Sequence, residues 1–450
     1  MAGNKSQQSF LQQFFEKRWW LLLLCLSLTA LGGALTAVLF RSGVHNLEEI
    51  RLALMETIPP WVVLPGLGIV GGFISGTLVA RFAPAAGGSG ISHLVGYLHD
   101  RPIPMNLKVG FIKLISGVIA IGSGFPLGAE GPSVQMGGSV AWQIGSWLKA
   151  PKSFTKVLVS AGGGAGLAAV FNAPIAGLIF TMEELLQTTR PIVLMVVGVT
   201  VFWADAWGAI LSWMGLNKEH GAFNEIHGFQ LSPEHDPIVK FLPIDIIYLI
   251  VLGIAVGLIA ELYTRYLMRM QKVSKRIFGD NIVIKMAICG GIIGLIYALL
   301  PGIFHEFTEL DNLVIEGEAG FYLAAKTFLV MFLTTGLAVA SGAPGGLFMP
   351  MLTLGAAVGL TFSGLAEFAL GYYPTTLVYA GMGAFVASCS RTPISAVFII
   401  FALTKNALIL KPVLLACIFS YIAGRICNDS SIYERQLTQK LQGELETQST

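Results

Sequence analysis

From Thr327 to Ala366 the chain carries no ionisable side chain, and from Val157 to Met182 it carries no charge. Runs of this kind cannot cover a soluble domain, where about 25% of residues are charged. Here only 12% are charged and 54% are hydrophobic. The runs are also interrupted by Gly and Pro. Apolar segments lie near 19–40, 61–82, 109–127, 133–148, 157–170, 173–182, 191–214, 243–268, 282–303, 321–341, 347–370, 376–389, 393–404 and 408–424. Several fall well below the ~20 residues that a full membrane span needs. Such short segments imply helices that end inside the bilayer, which is tolerated only where protein or a water-filled cavity covers the freed backbone. The polar–apolar alternation of an outer-membrane barrel is absent. The expectation is an all-α polytopic membrane protein with many short, tilted, discontinuous helices. Disorder, nucleic-acid binding and ordinary soluble enzyme chemistry are excluded on the same grounds.

Residues 1–18 are polar, with Lys5, Lys17 and Arg18, and no small-residue cleavage site follows. They read as a cytoplasmic segment ahead of a first span at 19–40. A membrane domain is expected over 19–427, with approximate halves 60–215 and 243–427. The short polar stretch 428–450 reads as a cytoplasmic tail without a regulatory domain. Arg81, Arg101 and Lys108, and the cluster Arg265, Arg269, Lys272, Lys275 and Arg276, place 81–108 and 265–276 in the cytoplasm by the positive-inside bias. The segments 41–58 and 217–240 then lie outside. The five cysteines, Cys25, Cys289, Cys389, Cys417 and Cys427, show no metal spacing and read as buried small hydrophobes.

The chain repeats itself. Ser123-Gly124-Phe125-Pro126 recurs as Ser341-Gly342-Ala343-Pro344, at an offset of 218. At that offset Gly128 meets Gly346, Pro132 meets Pro350 and Gly137 meets Gly355. Ala161-Gly162-x-Gly164-Ala165 recurs as Ala380-Gly381-x-Gly383-Ala384 at an offset of 219, where Pro174 also meets Pro393. Close packing explains many glycines, but it does not demand a constant offset. Two halves with matching broken segments point to a transporter whose site lies where the broken helices meet.

Charge at membrane depth is costly, so its presence suggests function. Between Val109 and Leu148 the charged residues are Lys113 and Glu130. Glu130 lies in Gly128-Ala129-Glu130-Gly131-Pro132, and Pro132 suits a first helical turn. Glu130 is therefore expected just ahead of a helix N-terminus, where free N–H groups and the macrodipole favour an anion. A carboxylate that competes with a bound anion there is a gate. If it leaves by taking a proton, it couples anion to proton movement; the alternative is a plain helix cap. In the second half Glu130 is matched by Phe348, within Gly345-Gly346-Leu347-Phe348-Met349-Pro350, a second N-terminus without a competing carboxylate. Gly87-Gly88-Ser89-Gly90-Ile91 forms a third glycine-rich turn, with Ser89 as a hydroxyl donor. Glu183 and Glu184 follow Asn172-Ala173-Pro174 by one helix length, toward the cytoplasm.

Gly-Ser-Gly-Ile at 88–91, Gly-x-Glu-Gly-Pro at 128–132, Gly-Gly-Leu-Phe-x-Pro at 345–350 and the late Tyr433 together resemble the CLC family of chloride channels and chloride/proton antiporters, its prokaryotic members above all. The resemblance runs from about Leu21 to Tyr433. It implies two inverted-topology halves and a homodimer with one pore per subunit in a bacterial inner membrane, with both termini cytoplasmic. Ser89 and Tyr433 would coordinate chloride through their hydroxyls, and Leu347 and Phe348 through backbone N–H groups. Gly88, Gly90, Gly128, Gly131, Gly345 and Gly346 would form the helix N-terminal turns around the site. Glu130 would be the external gate and Glu184, favoured over Glu183 by register, the internal proton-transfer residue. No cofactor or metal is implied; chloride and protons are the substrates. Three positions depart from the family pattern. Ala129 replaces a cation before the gate, Ser92 replaces a proline, and a Glu common nearby is absent where His93 and Val95 stand. Lys113 keeps its family spacing and is expected to shape the pore's field.

Two other functions make different demands on these residues. A passive chloride channel of the same fold would be indifferent to a pH gradient. An intramembrane serine protease built on Ser89 needs a base within hydrogen-bond reach, yet all seven histidines fall outside the uncharged spans. Metal or haem chemistry lacks paired ligands within the spans.

Overall fold

The computed structural model describes residues 2–216, 244–302, 320–370 and 374–448. The segment expected outside at 217–240 lies beyond the described residues. The chain folds as helices, in order α1 Ala2–Thr57, α2 Pro60–Phe82, α3 Ile91–Leu98, α4 Leu107–Gly122, α5 Glu130–Trp147, α6 Lys152–Phe171, α7 Pro174–Phe180, α8 Pro191–Trp213, α9 Asp245–Phe278, α10 Ile282–Leu299, α11 Phe321–Ser341, α12 Phe348–Leu370, α13 Thr376–Ser390, α14 Pro393–Thr404, α15 Leu410–Cys427 and α16 Ile432–Gln448. Among the described residues, nine helical stretches are long and apolar enough to cross a membrane. Others, such as α14, are too short to do so.

Two boundaries differ from the expectation. Helix α1 runs unbroken past the expected span 19–40 through 41–57, the segment expected outside. Its polar end pairs along the helix, Arg51 with Glu48 and His45 with Glu49, and the first breaker is Pro59-Pro60. Helix α9 likewise carries the basic stretch 265–276 as a continuation of its apolar part. Of the five cysteines Cys427, at a helix end, is exposed; the other four are buried.

The repeat is visible as packing. A Cβ added to Gly137 of α5 would collide with the carbonyl oxygen of Gly162 in α6, and one added to Gly162 would collide with that of Gly137. In the second half Gly355 of α12 and Gly381 of α13 clash in the same reciprocal way. These are the pairs that the offsets match. Helix α6 ends at Asn172 (φ 49°) and α13 at Arg391 (φ 62°), both left-handed and both followed two residues later by the proline that starts α7 or α14. The halves meet across an approximate two-fold axis. Gly128 and Gly346 form an isolated antiparallel bridge, N–H to carbonyl at 3.0 and 2.7 Å. An antiparallel bridge is itself two-fold symmetric, in keeping with two inverted halves. Helix α2 packs on α10 with Gly68 against Gly290, again reciprocally.

Burial follows from these contacts. Helices α6 and α13 are almost wholly enclosed. Ile69, Val70, Phe73, Ile288 and Ile292 instead present apolar side chains outward from α2 and α10, as lipid-facing helices must.

Candidate functional site

Three glycine-rich turns converge where broken helices end. The Gly88 N–H donates to the Gly342 carbonyl at 2.9 Å, and the Gly345 N–H donates to Gly88 at 3.3 Å. Gly88 (φ +69°) and Gly90 (φ +91°) adopt left-handed backbone that bends the chain into α3. A side chain at Gly90 would also meet the Gly131 carbonyl at 2.8 Å. The backbone of the first turn thus lies directly against the start of α5.

Glu130 is the first residue of α5 rather than the residue ahead of it, and it is fully buried. Its Oε1 accepts from the Phe348 N–H at 2.6 Å and from the Met349 N–H at 3.4 Å, at the start of α12. Its Oε2 has no hydrogen-bond partner among the described residues. The carboxylate of one half thus occupies the helix N-terminus of the other, where amide dipoles stabilise negative charge. Leu347 is buried and its carbonyl caps the helix by accepting from the Met351 N–H at 3.0 Å. The N–H groups turned on the carboxylate are those of Phe348 and Met349. Met349 was not singled out in the sequence, although it is the next free donor at that N-terminus.

The Phe348 ring is enclosed, edge-on to Phe171 and Phe180 at 6.1 and 5.7 Å, and near-parallel to Tyr433 at 6.4 Å. Tyr433 is fully buried, and its hydroxyl has no partner among the described residues. Ser89 is buried, with its hydroxyl 3.5 Å from Gln436 Oε1, one helical turn beyond Tyr433 on α16. The structure therefore brings α3, α5, α12 and α16 to one place.

The two adjacent glutamates part company. They sit on a widened π-helical turn, Thr181–Leu186, that ends α7. Such turns re-aim side chains and recur at functional sites. Glu184 is buried, and its Oε1 accepts from Ser431 Oγ at 2.9 Å, two residues before Tyr433. Glu183 points to the other half. It accepts from the Ile394 N–H at 3.2 Å, the Ser395 N–H at 2.8 Å and Ser395 Oγ at 2.5 Å, which caps α14. Neither Ser431 nor this cap was legible in the sequence, because both contacts cross more than 200 residues.

Lys113 is fully buried and donates to the Gly88 carbonyl, the same oxygen that accepts from Gly345. It is thus tied to the turn that presents Ser89. Gln135, also unforeseen, braces that loop from α5 by donating to the Ala85 carbonyl at 2.8 Å. The His93 ring faces Lys440, Nε2 to Nζ at 2.8 Å.

Known proteins share this chain's family signature and fold. Residues 71–425 match the family profile described as "Voltage gated chloride channel". The H(+)/Cl(-) exchange transporter ClcA of Klebsiella pneumoniae (strain 342) is 30% identical over 429 residues, covering 90% of this chain and 86% of the relative. ClcA of Vibrio vulnificus (strain YJ016) is 30% identical with 92% and 89% coverage. Among solved structures, a slow cyanobacterial Cl-/H+ antiporter superposes with a TM-score of 0.81 at 26% identity, covering 93% of this chain and 98% of that one. A CLC-type fluoride/proton antiporter shares the fold at a TM-score of 0.73 and 21% identity, covering 92% and 97%. With inverted halves, helix N-termini meeting at a buried carboxylate, and a family match over most of its length, the chain belongs to the voltage-gated chloride channel (CLC) family.

Proposed function

We propose that the protein is a secondary antiporter that exchanges chloride for protons, with Glu130 as the gate. The observation that carries this reading is the Glu130 carboxylate seated on the Phe348 and Met349 N–H groups. Those donors suit a chloride equally well, so carboxylate and anion compete for one place. Ionised Glu130 holds the site through charge-assisted hydrogen bonds. Protonation removes the charge, weakens that hold, and lets chloride take the donors while the side chain carries its proton away. Tyr433 and Ser89 would offer hydroxyl donors to the anion on the inner side. The site uses dipoles and hydroxyls rather than a cationic side chain, so the anion binds weakly enough to leave, as conduction requires. Lys113, held on Gly88, biases the field without touching the anion.

Glu184 would pass protons between the cytoplasm and the core, since it is buried and accepts from Ser431, two residues before Tyr433. Two carboxylates at different depths give protons a route partly separate from that of chloride. The cytoplasmic placement of both termini rests on the basic residues of 81–108 and of the end of α9. A homodimer with one pore per subunit in a bacterial inner membrane completes the reading. No cofactor takes part, and the chemistry is transport rather than catalysis.

The test is reconstitution into vesicles. An imposed chloride gradient should drive protons uphill, with the two fluxes in constant ratio. Chloride flux indifferent to a pH gradient would instead establish a passive channel.

A further inference from the structure

One side of α9 carries a feature that ion exchange does not use. Glu261, Arg265, Met268, Arg269 and Lys272 recur at helical spacing along one face of α9 and, with Arg435 of α16, line an open cavity of about 470 Å³. That volume lies within the roughly 300–1,000 Å³ of small-ligand sites. Glu261 is buried and already saturated: Arg435 grips both its oxygens at 3.1 and 2.7 Å, Arg265 lies at 2.8 Å and Arg391 at 3.6 Å. Its charge is therefore spent. Arg269 and Lys272 have no ion-pair partner among the described residues, which leaves the cavity with an excess of positive charge.

The height of the cavity identifies its occupant. Helix α9 has 34 residues, about 51 Å at 1.5 Å per residue, against a hydrocarbon core of ~30 Å. Its basic end must therefore emerge at headgroup level. Leu262 and Leu258, one and two turns before Arg265, are exposed and would lie along acyl chains. Apolar surface leading into a cationic cavity fits an amphiphile, and basic pockets between membrane helices hold anionic headgroups. We propose that this cavity binds the phosphate of an anionic phospholipid headgroup, with Arg269 and Lys272 as its contacts.

Native mass spectrometry of the full chain in detergent tests this, with phosphatidylglycerol and phosphatidylcholine as probes. Phosphatidylglycerol should bind at least about tenfold more tightly than phosphatidylcholine. The double variant Arg269→Gln/Lys272→Gln should lose about thirtyfold of that affinity, at about 1 kcal/mol per cation near a membrane surface. A control, Lys108→Gln/Lys411→Gln, removes two exposed cations elsewhere and should bind as the parent does. Unchanged binding in the first variant, equal loss in the control, or no preference between the lipids overturns the site. Displacement by millimolar inorganic phosphate overturns the lipid as occupant and assigns the cavity to a soluble phosphate. A double variant that elutes as the parent does and keeps chloride transport rules out misfolding as the cause of lost binding.

Discussion

The Glu130 carboxylate is held at 2.6 Å by the backbone N–H of Phe348, the residue that stands at Glu130's own position in the second half. Two helix N-termini related by an approximate two-fold axis must face one another near that axis. Both favour an anion, and the Glu130 carboxylate takes the donors of the α12 N-terminus. The chain resolves this by breaking its own symmetry, with Glu in one half and Phe in the other. The result is a filled site that an outside anion can contest.

Glu130→Gln removes the titratable group and keeps the shape. Proton transport in vesicles should fall at least about tenfold, equivalent to ~1.4 kcal/mol, while chloride still moves. Proton pumping at the parental ratio would exclude Glu130 as the gate.

The adjacent glutamates should separate by assay. Glu184→Gln should impair proton movement severely and leave chloride flux and stability nearly intact. Glu183→Ala removes three hydrogen bonds from the first turn of α14. It should cost about 1–2 kcal/mol, as lost caps do, read as a lowered denaturation midpoint with coupling retained. The reverse pattern would exchange the two roles.

Chloride affinity by calorimetry reports on the hydroxyls. Tyr433→Phe and Ser89→Ala each remove one donor and keep the packing. Each should weaken chloride binding about tenfold, the ~1.5 kcal/mol of a hydrogen bond to a charged group. Unaltered affinity in both variants would place the anion elsewhere.

Glycine positions should differ sharply. At Gly137 an added methyl meets the Gly162 backbone of α6, and backbone cannot swing aside. Gly137→Ala should cost about 1–3 kcal/mol or prevent assembly, followed by size-exclusion elution and thermal melting. At Gly66 nothing lies within 4 Å. Gly66→Ala should be neutral or stabilising by about 0.5–1 kcal/mol.

The loop between α3 and α4 gives a pH signature outside the membrane. Hydrogen bonds from Lys152 and Lys156 lower Asp100 from its ordinary 3.8 to about 2. A lowered carboxylate contributes stability above its unfolded value and loses it as pH falls through the folded one. The stability gap between the parent and Asp100→Asn should therefore be flat from pH 7 to about 5 and close between about 4 and 2. A gap that closes near neutral pH would contradict the ion pairs.

The sequence by itself determined the class of fold, because an uncharged run such as Thr327–Ala366 has no stable place except in a bilayer or a core. It also determined the repeat, since breakers at a constant offset impose the same bends twice. Glu130, Ser89 and Phe348 were legible because each sits in a local pattern of glycine and helix start. What only the tertiary structure decided are contacts that cross the halves. Glu183 as a cap on α14, Ser431 beside Glu184 and the Met349 N–H on Glu130 leave no local mark. They arise because a two-fold axis brings residues some 200 positions apart into hydrogen-bond range, and one-dimensional spacing carries no record of where that axis runs.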